Sequence, residues 1–486
     1  PDLSDSRVGL EFQSELHHRQ SLGAMTTCIV VHNLAGDAVF GPAEFPRTMV
    51  ASHLREILKP IVAPRSFKLL HGCQELHGHQ LLQGNAGDRV VRLSIVYYHP
   101  AYSVVTWGRP TAGGDSSTVA THLSGGVKQV SGTSAAFAAL REEGDVVCWG
   151  DPRCGGDMEA VADRLSGAVV SVVGNSAAFA AIKDGGEVVT WGAALGGGDS
   201  GAVADSLSGG VVSVTGSGRA FAAVKVDSQV VTWGDPASGG DSRLVAGRLG
   251  GGGSGSRVVA LAANRMAFAA LLEGGEVVTW GHAFHGGHPI GAVEQLAGGV
   301  TSVVGNAVAF AAIKESGQVI TWGQPDSGGD SRAVADRLAS GVLFVTGSLF
   351  AFAALKDRGE VVTWGSTRCG GDSRAVADRL ACGVVSVAAS GRAFVALRHD
   401  GEVVTWGDAR SGGDSRAIKD RLFASEVASV VGNSLAFAAL KTAGEVVTWG
   451  DSDHGGDASE VAGLLASEVH SVTATDQAFA ALRLVS

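Results

Sequence analysis

Residues 361–407 read VVTWGSTRCGGDSRAVADRLACGVVSVAASGRAFVALRHDGEVVTWG, and this stretch decides the fold because it opens and closes on the same five residues. Val-Val-Thr-Trp-Gly stands at 361–365 and returns at 403–407, 42 residues later. Working outward in both directions, every Trp of the chain sits in a Trp-Gly pair: Trp107, Trp149, Trp191, Trp233, Trp280, Trp322, Trp364, Trp406 and Trp449. Seven of the eight intervals are 42 or 43 residues, and the exception is 47. A fixed period near 42 is the signature of a propeller or a solenoid. The extra five residues fall within Gly250–Ser256, a Gly/Ser insertion.

A tighter spacing lies inside the repeat. An Ala-Phe pair precedes each later Trp by 12 residues, at Phe137, Phe179, Phe221, Phe268, Phe310, Phe352, Phe394 and Phe437. That rigidity suits a β-hairpin, where one slipped residue turns every side chain to the opposite face. The hairpin turn carries Gly144, Gly186, Gly275, Gly317, Gly359, Gly401 and Gly444, with Ser228 as the exception. Gly at one fixed turn position predicts a positive φ there. Each unit therefore offers three short Val-rich strands, V-x-S-V, A-F-A-A-L and E-V-V-T-W, bounded by Gly. They read as continuous apolar runs, as strands covered on both faces do. Between Trp and the next strand, G-G-D-S-R-A-V-A-D-R-L predicts one or two helical turns capped by Asp or Ser.

The ends of the array decide its shape. It opens on Val104–Trp107 with no preceding A-F-A-A-L strand, and closes on Phe479–Val485 with no following V-V-T-W strand. Pairing the first strand into the last unit removes both open edges. An open solenoid would instead end in polar capping units. The expectation is an all-β fold: a closed β-propeller of about nine short three-stranded blades over 103–486, the nine Trp residues forming its repeated core.

Residues 26–98 contain no Trp and have another texture. Strands are predicted at Thr27–Val31, Ala38–Phe45, Phe67–Leu70 and Val90–Tyr97. A turn falls at Leu34–Asp37, and helical apolar spacing runs through Val50, Leu54, Ile57 and Leu58. Residues 1–24, rich in His and Gln, read as an N-terminal arm. Pro1 is not a natural start, so a leader is expected to precede it.

Composition narrows the function. The chain has 486 residues, 71 of them Gly, so long helices are unfavourable and tight turns abundant. Its net charge of −11 argues against nonspecific nucleic-acid binding, which needs a basic face. No apolar run reaches the roughly 18 residues of a membrane span. The six Cys residues form no CxxC, which points to reduced thiols in an intracellular compartment, cytoplasmic or organellar.

Candidate chemistry is sparse. Asp115, Asp157, Asp199, Asp241, Asp330, Asp372, Asp414 and Asp457 each follow a Trp by 8 residues, with His288 in the remaining unit. One carboxylate per unit does not supply the six to eight oxygens of a calcium site, so helix capping is expected. His282, His285 and His288 are spaced H-x-x-H-x-x-H through a Gly-rich loop, which promises no convergence on a metal, and solvated histidines are expected. No P-loop, dinucleotide fingerprint or nucleophile elbow occurs in its required context. No catalytic constellation, metal or cofactor is assigned. What varies between units is the segment after Trp-Gly. In it Arg109, Arg153, Phe284, Arg368 and Arg410 are the side chains most able to anchor a protein partner.

The Trp-Gly strand, G-V-x-S-V-x-G, A-F-A-A-L-K and the following G-E-V resemble the regulator-of-chromosome-condensation repeat. In unit length they are similar to the propeller-type β-lactamase inhibitor protein. The resemblance covers 103–486. The family's His before the A-L strand is here Ala, Val, Met or similar, and its G-Q-L-G turn is G-G-D-S, so nucleotide exchange through a wedge loop is not implied. Residues 25–99, with S-F-K-L-L-H-G-C-Q-E-L at their centre, resemble ubiquitin-like (β-grasp) domains. That resemblance places Leu70 near the family's aliphatic binding patch. With Tyr97-Tyr98-His99-Pro100 after the last strand and no Gly-Gly, it implies a built-in module rather than a conjugated tag. The expected function is a non-enzymatic protein-interaction scaffold, with no nucleic acid and no membrane insertion, working alone or as one subunit of a larger complex. The alternative is a regulatory or substrate-recognition component of a ubiquitin or small-GTPase pathway.

Overall fold

The computed structural model describes residues 26–32, 38–46, 54, 58, 66–71, 74–75, 90–98, 101–250 and 256–485. The 1–24 arm, the turn at Leu34–Asp37, most of the predicted helix and residues 251–255 of the Gly/Ser insertion lie outside the described residues. The chain divides into two compact units, Pro1–Pro100 and Ala101–Ser486.

The first unit holds a mixed five-stranded sheet: β1 (Thr26–His32), β2 (Ala38–Pro46), β3 (Ser66–His71), β4 (Gln74–Glu75) and β5 (Val90–Tyr98). The order is β2-β1-β5-β3-β4. The central pair β1 and β5 runs parallel, and the other pairings are antiparallel. A parallel pair needs a crossover. Between β2 and β3 the buried Leu54 and Leu58 are helical, one turn apart, as the apolar spacing predicts.

The second unit is all-β and repeats one three-stranded antiparallel blade. Blade 2 is representative: an inner strand Val169–Gly174, a middle strand Ala178–Lys183 and an outer strand Val188–Gly192, in that order. Blades are numbered here by their middle strands: Ala136–Arg141, Ala178–Lys183, Ala220–Lys225, Ala267–Leu272, Ala309–Lys314, Ala351–Lys356, Ala393–Arg398, Ala436–Lys441 and Ala478–Leu484. Inner strands of successive blades touch. Near its first residue each inner strand slips register by a bulge, as between Val169 and Ser171. Such bulges increase strand twist.

The first five residues of each middle strand are buried because the strand is sandwiched by two neighbouring blades. Between blades 5 and 6, for example, Ala309, Ala311 and Val319 pack against Phe352, Ala354 and Trp364, with Leu338 from the linker beneath them. Alternating Ala with Phe lets one large ring per blade fill the space that small side chains leave. Truncating one such buried ring costs about 3–5 kcal/mol.

The two ends of the array meet. Strand β6 (Tyr102–Gly108) pairs antiparallel with Ala478–Leu484, bringing Trp107 opposite Phe479 and Val104 opposite Leu482. It thereby serves as the outer strand of blade 9. The apolar contacts continue from blade 9 to blade 1, where Ala478, Ala480 and Leu482 pack with Leu123, Phe137 and Trp149. Backbone bonds between neighbouring inner-to-middle turns run the same way: Ser434 to Asp476, Asp476 to Ser134, and Ser134 to Ser176, each N–H donating to the next carbonyl.

Candidate interaction face

Each blade carries the same lock. Phe of the middle strand and Trp of the outer strand are cross-strand partners, and their rings stack with centroids 5.1–5.4 Å apart. Offset stacking of this kind adds about 0.5–1.5 kcal/mol beyond area burial. The buried indole N–H then donates to the carbonyl of a Gly in the preceding blade's loop. Trp149 bonds Gly113, Trp191 bonds Gly155, Trp364 bonds Gly328, and Trp107 reaches Gly455 at 3.1 Å. That Gly has no substitute. At Gly370 φ is +88°, and a Cβ would sit within 2.5 Å of the Phe394 ring.

A second tether fixes the loop from inside its own blade. After Trp-Gly comes a single 3-10 turn, such as Pro152–Cys154 or Thr367–Cys369, ended by that left-handed Gly. A short polar residue before the middle strand bonds the last carbonyl of the turn. Asn175 reaches Gly196, Asn306 reaches Ser327, Ser348 reaches Cys369, and Thr475 reaches Ala112. Sequence reasoning missed these tethers, although Thr133, Asn175, Ser217, Asn264, Asn306, Ser348, Ser390, Asn433 and Thr475 recur at one register position. Each is buried. The residue four after Trp is thus held between two anchors and points to solvent.

At that position successive blades present Arg153, Leu195, Ala237, Phe284, Asp326, Arg368, Arg410, Asp453 and, following β6, Thr111, all exposed. Four of the five sequence-predicted loop anchors fall here. Arg109 does not: it precedes its 3-10 turn and donates to Gln477 Oε1 at 2.9 Å. Arg153 pairs with Asp151 of its own turn at 2.8 Å, and this bond holds the Asp151 carboxyl below its ordinary value. Arg368 and Arg410 occupy equivalent places on adjacent blades. Exposed Arg392 accepts the Asp408 N–H at its carbonyl at 3.0 Å, two residues before Arg410, and its charge reaches Cys369 beside Arg368, a thiol raised chiefly by burial. Arg392 and Leu195 were not singled out by sequence. Leu195 stood within the variable post-Trp segment, whereas Arg392 varies just before the middle strand, a register not read for variability. Leu70 lies on β3 of the first unit, opposite Ser94 and Glu75.

The Gly-Gly-Asp carboxylates bind the chain itself. Each accepts the backbone N–H two residues on, at the start of the linker turn; Asp115 takes that of Ser117 and Asp372 that of Arg374. The cap comes from Asp and not from the adjacent Ser. The Ser hydroxyl is instead bonded to the outer-strand Thr, as in Thr190–Ser200 and Thr363–Ser373. In four blades the neighbouring Arg also clamps the carboxylate, and Asp241, Asp330, Asp372 and Asp414 are lowered to about 2.

The His282 and His285 rings lie 4.3 Å apart and tilted by 35°, with both Nδ1 atoms buried and unpartnered. Burial, helped by His282, pushes His285 below its ordinary value. His288 is exposed and lines a cavity of about 1170 Å³ beside Phe284 and Trp322. No group of three metal-binding side chains occurs among the described residues. Cys148, Cys154, Cys369 and Cys382 are free thiols, and burial pushes Cys148 up to about 12. Among the described residues no helix is long and apolar enough to cross a membrane.

No family model matches the chain, and no curated protein does. Solved structures similar to it include Prp20p of Saccharomyces cerevisiae, whose description gives binding properties to Gsp1p and histones. It is 13% identical, covering 80% of this chain and 93% of that one, with a TM-score of 0.39. Human WBSCR16 is 14% identical over 55% of this chain and 84% of its own, TM-score 0.32. The ectodomain of the Physcomitrella patens receptor kinase CR4 is 15% identical over 58% and 73%, TM-score 0.33.

Proposed function

We propose that residues 103–486 form a closed nine-bladed propeller of the regulator-of-chromosome-condensation type that acts as a non-enzymatic protein-interaction scaffold. The observation that carries this reading is the contrast within each loop. Its ends are bolted by the indole–Gly bond and the Thr/Asn/Ser tether, while the residue between them differs from blade to blade. Rigid loops lose little entropy on association, so more of the contact energy appears as affinity. The basic sector around Arg368, Arg392 and Arg410 suits an acidic patch on a protein partner.

The test is affinity capture with the full chain, comparing wild type with an Arg153→Ala, Arg368→Ala, Arg410→Ala triple variant. The expected result is a partner recovered by the first and depleted with the second. Capture of no stable partner by either would refute the proposal.

A second reading concerns the first unit. A β2-β1-β5-β3-β4 sheet with a parallel central pair is the arrangement a β-grasp, ubiquitin-like module requires, and it favours a role in a ubiquitin or small-GTPase pathway. Leu70→Glu is then expected to abolish binding to a ubiquitin receptor while the circular dichroism of the chain is unchanged. Unaltered receptor binding sinks it.

A further inference from the structure

The face opposite the loops, where the middle and outer strands are joined by hairpins, has its own chemistry. The second residue of the inner strand lies beside the hairpin turn. In most blades it is aliphatic and solvent-exposed. Val170, Val212, Val259, Leu343 and Val385 occupy this position, and Phe344 follows Leu343; all are 46–66% exposed. Blade 5 has Thr301 here. Blades 8, 9 and 1 carry Ala428, His470 and Lys128, so the apolar arc covers one side only. These residues fill no core, and exposed apolar side chains gathered on one face, here interrupted only at Thr301, mark interaction sites.

The arc is bordered by carboxylates. Glu142, Asp184, Asp227, Glu273, Glu315 and Asp357 stand at the hairpin tips, exposed and in no ion pair among the described residues. The lysines that end four of these middle strands are used internally. Lys183, Lys225, Lys314 and Lys356 each turn their Nζ to a carbonyl of the preceding linker, at 2.6–2.9 Å. Those four lysines turn inward while six tip carboxylates face outward, with Arg358 the exposed cation among them. At one end of the arc, Val385, Leu397, Phe423 and Val427 line a cavity of about 560 Å³. Its wall also carries Arg398, His399, Asp400 and Glu426, with Arg398 paired to Asp400 at 3.3 Å and Glu426 left, among the described residues, as the unpaired carboxylate there. Phe423 is 63% exposed.

We propose that this hairpin face docks a cationic amphipathic peptide segment, with aliphatic side chains on the arc, one of them in the Phe423 cavity, and Lys or Arg residues on the tip carboxylates. Charge decides the occupant. A second copy of this chain would bring carboxylates against carboxylates, and an anionic lipid surface would meet the same repulsion. A basic partner alone satisfies both the apolar arc and its border.

The experiment titrates the full chain with fluorescein-labelled synthetic peptides of alternating Lys/Leu, Glu/Leu and Lys/Ser composition, read by anisotropy. The Lys/Leu peptide is expected to bind, and to weaken as salt rises. The other two are expected to bind at least about tenfold more weakly, a difference of about 1.4 kcal/mol. Leu343→Lys and Phe423→Ser, both at exposed positions, are each expected to weaken the Lys/Leu peptide at least about tenfold. The loop-face triple variant should bind it as wild type does. The proposal fails if the Lys/Leu peptide does not bind, or if Leu343→Lys leaves its affinity unchanged. It also fails if sedimentation shows self-association that Leu343→Lys abolishes, or if anionic vesicles retain the chain through this face.

Discussion

Trp364 and Arg368 lie four residues apart and obey opposite rules. The Trp is buried, stacked on Phe352 and bonded to Gly328 of the preceding blade's loop. The same lock recurs with eight other indoles. The Arg is exposed, makes no contact the fold needs, and its counterparts are Arg, Leu, Ala, Phe, Asp or Thr. Repetition in this chain records shared burial, and variation records freedom from it. A partner can be read only in the second kind of residue, and the first kind fixes where it stands.

The sharpest way to break this comparison is at the join. Trp107 stands first in the array yet bonds Gly455 and stacks on Phe479. In a closed ring its loss should equal that of an interior Trp. Trp107→Ala and Trp322→Ala are each expected to cost about 3–5 kcal/mol, measured by guanidinium denaturation. A near-normal midpoint for Trp107→Ala beside a collapsed one for Trp322→Ala would mean the ends do not bear on each other. Next in size is Gly370→Ala, which combines a left-handed backbone with a collision against Phe394. It is expected to cost about 2–4 kcal/mol. The neighbouring Arg368→Gly, freeing the same turn without a clash, should cost far less.

Much of this lock was legible in sequence, because a buried position repeated nine times tolerates few residues. The 12-residue Phe–Trp spacing gave the hairpin, and the turn Gly gave the left-handed backbone: Gly144, Gly186 and Gly359 have φ of +82°, +77° and +74°. The array's unmatched ends led to the β6 pairing. What stayed hidden were partners chosen by geometry. The polar residue before the middle strand was visible as Thr, Asn or Ser, but its bond crosses from one turn to another. The Asp of Gly-Gly-Asp was expected to cap the linker turn and does; what stayed hidden is that the adjacent Ser bonds the outer-strand Thr. Arg392 joins Arg368 and Arg410 only when two blades sit side by side.

Acid separates the paired from the unpaired carboxylates. Asp241, Asp330, Asp372 and Asp414 are lowered to about 2 from 3.8 by the Arg side chains beside them and by backbone N–H donors. A depressed folded-state value means the stabilisation is present above the unfolded value and is lost as pH falls through about 2. The groups are exposed, so the effect is modest. Replacing all four by Asn should flatten the fall in Tm between pH 4 and pH 2 relative to wild type. Parallel curves would show that these pairs do not act on stability.

Ser228 is smaller still and reverses the sign. It takes the left-handed turn position that seven other blades give to Gly, with φ of +65°. Ser228→Gly relieves that backbone and is expected to stabilise by up to about 1 kcal/mol.

The smallest stability change is predicted where the functional change is greatest. Arg153→Ala, Arg368→Ala and Arg410→Ala remove side chains that the fold does not pack, and each should move stability by no more than about 0.5 kcal/mol. The salt bridge from Arg153 to Asp151 does not alter this, because the Arg side chain is 89% exposed and such pairs contribute little. The same three changes are expected to lower partner recovery. A loop variant that unfolds the chain would place that residue with the lock, and the division between constant and variable positions would have to be redrawn at that blade.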